Sequence, residues 1–92
     1  MQFCEISDIF ARDLQGKYCI EISFYVKGSE KYKECWMGKN GAEEKQYWFG
    51  LTTDGNEAYS YKTFDEMTMA KVFDGKSLKE ICSLITINEI IG

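Results

Sequence analysis

Cysteine and carboxylate side chains are the first to weigh for chemistry in this chain, because it contains no histidine at all. A nucleophilic thiol needs a depressed pKa, normally supplied by a neighbouring His or by the start of a helix. Cys19 and Cys35 fall within expected strands, and Cys82 falls inside an expected helix rather than at its start. Cys4 completes the set. No two of the four stand at a C-x-x-C spacing, and no His can complete a zinc site. The reading is four reduced, mostly buried, apolar cysteines and no metal.

Paired carboxylates are the next candidates: Glu43-Glu44, Asp65-Glu66, and Asp54 with Glu57. A glycosidase pair needs one carboxyl in an apolar pocket beside a cleft that admits sugar. A chain of 92 residues, mostly committed to one thin core, leaves little room for such a cleft. Asp65 and Glu66 are better explained as favourable charges at a helix start. Gly38-Lys39-Asn40-Gly41 lacks both nucleotide-loop glycine patterns. Asp54-Gly55-Asn56-Glu57 lacks the spaced ligands of a calcium loop and reads as a hairpin turn. The expectation is therefore no enzyme activity and no cofactor.

Aromatic residues are the feature that stands out. Phe, Tyr and Trp make up 15% of the chain, and many fall on expected strands. Tyr25, Tyr32, Trp36 and Trp48 are assigned to a sheet face turned away from the core. Exposed Trp and Tyr interspersed with Glu21, Glu34 and Lys33 have the composition of a protein interface. Base stacking also uses aromatic sheets, but nucleic-acid affinity needs clustered positive charge. Here 11 basic residues are outnumbered by 15 acidic ones, for a net charge of −4. No apolar run approaches the ~20 residues of a membrane span. The first residues, Met1-Gln2-Phe3-Cys4-Glu5-Ile6, show no secretory pattern. These observations lead to the expectation of a cytoplasmic protein that meets neither nucleic acid nor membrane.

The elements that must present those residues follow from periodicity. Phe3, Ile6, Phe10 and Leu14, with Ile9 beside them, trace one side of a helix over 3–14, which Gly16 stops. Tyr18, Ile20, Ile22, Phe24 and Val26 alternate with Cys19, Glu21, Ser23, Tyr25 and Lys27, the pattern of a half-buried strand over 18–27. Gly28-Ser29-Glu30 turns the chain into a strand over 32–38. A two-residue turn at Gly28-Ser29 sets Ile22 against Cys35, Ile20 against Met37, Tyr25 against Tyr32 and Glu21 against Trp36. A three-residue turn would send Trp36 inward and bury Glu34, so the first register is preferred.

Residues 39–45 are polar and loop-like. A strand over 46–52, a turn at Asp54-Gly55 and a strand over 57–62 follow. A two-residue turn there pairs Tyr59 with Gly50 and Tyr61 with Trp48. A three-residue loop pairs Tyr59 with Phe49 and Tyr61 with Tyr47. Thr63-Phe64-Asp65-Glu66 and Ser77-Leu78-Lys79-Glu80 both have capping-box spacing and open helices over 64–70 and 78–84. Ile85-Thr86-Ile87 reads as a last short strand, and 88–92 reads as a frayed tail whose Ile90 and Ile91 are apolar enough to dock or to pair with a partner.

The segment from Thr63 to Ile81, with Phe73-Asp74-Gly75-Lys76-Ser77-Leu78-Lys79-Glu80-Ile81 at its end, resembles the C-terminal signature of small, uncharacterised proteins of Gram-positive bacteria. In those a Tyr- and Trp-rich strand region precedes the signature, and Trp commonly stands where this chain has Cys82. The resemblance implies a bacterial protein and carries no functional residue.

The expected architecture is one α+β domain spanning 1–92. An N-terminal helix, a four-stranded antiparallel meander and two short C-terminal helices would pack on one sheet face. The expected function is a small protein-interaction or regulatory module that can form a homodimer. The alternative is an acidic inhibitor or immunity-type protein that neutralises a basic partner.

Overall fold

The computed structural model describes residues 3–11 and 19–91. The order is α1 (Phe3–Ala11), β1 (Cys19–Val26), β2 (Cys35–Asn40), β3 (Tyr47–Gly50), β4 (Ala58–Tyr61), α2 (Phe64–Met69), α3 (Leu78–Ile81), a 3-10 turn (Cys82–Leu84) and β5 (Ile85–Ile91). The α+β class is as expected. Five strands form the sheet rather than four, in the order β4-β3-β2-β1-β5, with every neighbouring pair antiparallel.

β1 carries the cleanest alternation and takes an interior position, flanked by β2 and the edge strand β5. Its Ile20, Ile22, Phe24 and Val26 are buried. Met37 and Cys35 of β2 and Phe49 of β3 continue this inner layer. Ile6, Ile9 and Phe10 of α1, Met67 of α2, and Leu78 and Ile81 of α3 close over it. All three helices thus lie on one side of the sheet. Burying each large apolar side chain is worth about 1.5–3 kcal/mol, so this layer supplies most of the drive to fold. Rings join the elements across it. Phe10 packs on Phe64 at 5.3 Å and on Tyr47 at 6.0 Å, and Phe73 packs on Phe49 and Tyr32 at 5.4 Å each.

The fifth strand corrects the expected frayed tail. β5 pairs along β1 from Val26↔Ile85 to Glu21↔Ile91. The polar Asn88-Glu89 step that interrupts its apolar pattern falls where the register shifts, between Ser23↔Glu89 and Phe24↔Ile87. A bulge absorbs the extra residue and lets the strand continue.

The β1–β2 register is also corrected. Ile22 faces Met37, Phe24 faces Cys35 and Ser23 faces Trp36. The slip is two residues from expectation, so the side chains of the paired residues keep their expected faces, Tyr32 lying outside the ladder. The reason is Tyr32, which folds inward instead of extending the ladder. Val26 N–H donates to the Tyr32 carbonyl at 2.8 Å, and Tyr32 N–H donates to Ser29 Oγ at 3.1 Å. A compact loop results where a two-residue turn was expected. At the other hairpin Phe49 faces Tyr59 and Tyr47 faces Tyr61, the longer-loop alternative.

The helix caps follow the sequence. Thr63 Oγ1 accepts from Glu66 N–H at 3.1 Å. Ser77 and Glu80 make both bonds of a capping box, at 3.1 and 3.2 Å. The expected extension of α1 to Leu14, the stop at Gly16 and the residue Tyr18 fall outside the described residues, as do the side chains of Phe3 and Cys4.

Candidate functional site

The helices leave the second sheet face uncovered by any described element. Across it, Trp48 lies opposite Gly38 and Ser60, and Trp36 lies opposite Gly50 and Ser23. Glu21, Glu89, Tyr25 and Thr86 continue the surface on β1 and β5. Aromatic bulk therefore sits over β2 and β3, and carboxylates sit over β1 and β5.

Each tryptophan faces a glycine across the ladder. The cause is a repeated W-x-G spacing, Trp36-Met37-Gly38 and Trp48-Phe49-Gly50, brought into antiparallel register. The two indoles behave differently. A methyl at Gly38 would meet Trp48 ring carbons at 2.5 and 2.7 Å, and also the Ile20 carbonyl oxygen. Trp48 is thus laid flat over Gly38 and is half-buried. At Gly50 the nearest atom to such a methyl is a Trp48 carbon at 4.0 Å, so Trp36 does not close over its own glycine. Trp36 stands out at 36% exposure beside the open backbone of Gly50.

Of the four residues assigned to this face, Tyr25, Trp36 and Trp48 lie on it, with Tyr25 half-buried. Tyr32 is the correction. It is 3% exposed and belongs to the core layer. Its hydroxyl lies 3.3 Å from Glu57 Oε1, 3.2 Å from the Val72 carbonyl oxygen and 3.3 Å from Asp74 Oδ1. A phenol has one proton to donate, so these acceptors compete for it. Lys31 Nζ balances the two carboxylates, at 2.7 Å from Glu57 and 3.4 Å from Asp74. The Glu57 hydrogen bond is the main reason that the Lys31 pKa rises, and burial is the main reason that the Tyr32 pKa rises.

This polar cluster ties three loops together at one end of the sheet. Asp74 (φ 52°) and Gly75 (φ 84°) form a primed turn closed by the Phe73–Lys76 bridge, which aims the Asp74 carboxylate at Tyr32. A cleft of about 230 Å³ beside it is lined by Val26, Tyr32, Phe73, Ile81 and Leu84. Lys31 also lines a second, more polar cleft of about 350 Å³ with Glu34, Thr52 and Asp54. The cluster reads as a structural clasp.

The cysteines divide. Cys35 is fully buried and its thiol lies 3.3 Å from the Leu51 carbonyl oxygen; burial, helped by the Glu57 charge, pushes its pKa up to about 12. Cys82 is buried as well. Cys19 departs from the buried reading: it is exposed, and its thiol lies 3.5 Å from Asn40 Oδ1. Among the described residues no group of three or more Cys, Asp or Glu is placed to hold a metal ion, and no helix is long and apolar enough to cross a membrane. Of the basic stretch 27–33, Lys31 pairs with Glu57 and Asp74, and Lys33 pairs with Glu30 at 3.3 Å.

Compared with known proteins, the chain matches no family model, no curated protein and no solved structure. The site is therefore read from this chain's own geometry.

Proposed function

We propose that this chain is a small cytoplasmic protein-interaction or regulatory module that works without catalysis through the outer face of its sheet. The observation that carries this reading is Trp36, which stands out from an uncovered sheet face beside a glycine it does not cover. Trp is enriched among the anchor residues of protein interfaces, and here it shares the face with Tyr25 and Trp48. Trp48, laid on Gly38, gives the anchor a flat and rigid surround.

A second reading is favoured by the carboxylates. Glu21 and Glu89 share the face with the aromatics, and the chain carries −4 overall. A basic protein partner suits that arrangement, as for an acidic inhibitor or immunity-type protein.

The test is site-specific photocrosslinking in cells, with a photoreactive phenylalanine analogue at position 36, 25 or 69. Met69 is the control, being exposed and apolar but on the helical side. The proposal expects a discrete protein adduct from positions 36 and 25 and none from 69. Equal labelling from all three positions contradicts it. An adduct whose yield falls steeply with added salt selects the basic-partner reading.

A further inference from the structure

We infer that the β5 edge is a self-pairing site, at which a second copy of this chain adds antiparallel to extend the sheet. This edge borders the outer face at Thr86 and Glu89, but its pairing does not depend on the reading above.

The two edges of the sheet are unequal. β4 is four residues long, and Lys62, at its end, pairs with Glu44 at 3.4 Å. A short edge flanked by charge is a poor template for another strand. β5 is seven residues long, Ile85 to Ile91, with a single charged side chain, Glu89. No described strand lies beyond it. An edge of this length presents a row of backbone donors and acceptors that another strand can complete.

The side chains indicate that the other strand is a copy of itself. Among the described residues the exposed large apolar side chains are Trp36, Met69, Leu84, Ile90 and Ile91, and three of these five lie along β5 or at its foot. Because of the bulge, Ile85, Ile87 and Ile90 face the helices, whereas Thr86, Glu89 and Ile91 face the other way. Opposed residues on antiparallel strands must share a face. Of the two-fold registers that satisfy this, one also brings the exposed apolar residues together. It sets Ile85 against Ile90 of the second copy, Thr86 against Glu89 of the second copy, and Leu84 against Ile91 of the second copy. Every exposed apolar residue of this edge then gains an apolar neighbour, and no Glu89 faces its own counterpart. The interface is isologous, as a closed dimer requires. Its two-fold axis is perpendicular to the sheet, so both outer faces stay on one side and remain free.

Each copy carries −4, so long-range repulsion opposes the pairing and added salt strengthens it. One strand contact is smaller than a standard interface, so the association is weak and concentration-dependent.

The experiment is sedimentation equilibrium of the full chain from low micromolar to millimolar concentration, at low and high salt. Ile90→Lys, Leu84→Glu and Trp36→Ala are run in parallel, each first checked for native circular dichroism. Ile90→Lys acts within the strand, and Leu84→Glu acts from outside it, so the test survives if one variant fails to fold. The proposal expects wild type to approach twice its 10.7 kDa mass, more readily at high salt. It expects the folded edge variants to weaken association by about tenfold or more, with Trp36→Ala unchanged. A wild type that stays monomeric throughout overturns it. A dimer that Trp36→Ala dissociates and the edge variants leave intact also overturns it, and moves the contact to the outer face.

Discussion

Replacing Gly38 by alanine is a sharp perturbation of the outer face. The added methyl would meet two Trp48 ring carbons, at 2.5 and 2.7 Å, and the carbonyl oxygen of Ile20 on the neighbouring strand. The ring can rotate away, at the loss of its packing, but the carbonyl belongs to the ladder and cannot move cheaply. Forced overpacking costs about 1–3 kcal/mol. The loss of glycine's freedom in the unfolded chain returns about 0.4–1 kcal/mol. The net expectation is a destabilisation of about 1–2 kcal/mol, or a fall in Tm of roughly 5–15 °C for a domain of this size. Thermal and urea unfolding followed by far-ultraviolet circular dichroism measure it. A double-mutant cycle with Trp48→Ala separates the two clashes. With the indole gone only the Ile20 carbonyl remains, so the cost of the Gly38 substitution should shrink by at least about 0.5 kcal/mol. Gly38→Ala as stable as wild type, or equally costly in both backgrounds, would refute the placement of Trp48 over Gly38.

Tyr32→Phe should cost about 1–3 kcal/mol in urea unfolding, because a buried hydroxyl shared with Glu57 and Asp74 is lost; a change of only a few tenths would deny the clasp. Glu80 is held down to about 2, first by the Lys71 hydrogen bond and then by the Ser77 N–H. Its folded pKa lies below its ordinary value of 4.5, so its contribution is present above that value and lost as pH falls towards 2. Wild type and Glu80→Gln should therefore differ in Tm at neutral pH and converge at the acid end; a constant offset would count against the assignment. Cys35 works in the opposite direction. Its raised pKa leaves stability intact below the ordinary thiol value of 9.0 and loses it as pH climbs towards 12. Cys35→Val should flatten that alkaline decline. In native protein, mass mapping after brief thiol labelling should find Cys19 modified well before Cys35 or Cys82, which react only on unfolding.

Legibility in the sequence tracked how local the controlling physics is. The alternation of Ile20, Ile22, Phe24 and Val26 is set by pleat and burial alone, and it placed both faces of β1 correctly. The capping pairs Thr63–Glu66 and Ser77–Glu80 are equally local and lie where their spacing puts them. The β1–β2 register was not legible, because it depends on whether Tyr32 extends the ladder or turns inward. That choice is settled by Glu57, Val72 and Asp74, which are 25 or more residues away in sequence. β5 was hidden by Asn88-Glu89, a polar break that reads as a strand end until a bulge in β5 itself takes Asn88 out of the ladder. Of the outer face, the tryptophans were found but their glycines were not. The W-x-G repeat at 36–38 and 48–50 was present in the sequence, and it acquires meaning once an antiparallel register sets each Trp across from a Gly.

The claim on which the function rests is that the sheet's second face is open to solvent around Trp36. Hydroxyl-radical footprinting of the isolated protein at monomeric concentration, read by mass spectrometry residue by residue, measures that exposure directly. The account predicts rapid oxidation of Trp36, slower oxidation of Trp48 and strong protection of Tyr32. Trp36 protected as fully as Tyr32 would mean that the face is covered within the molecule, and the account would fail.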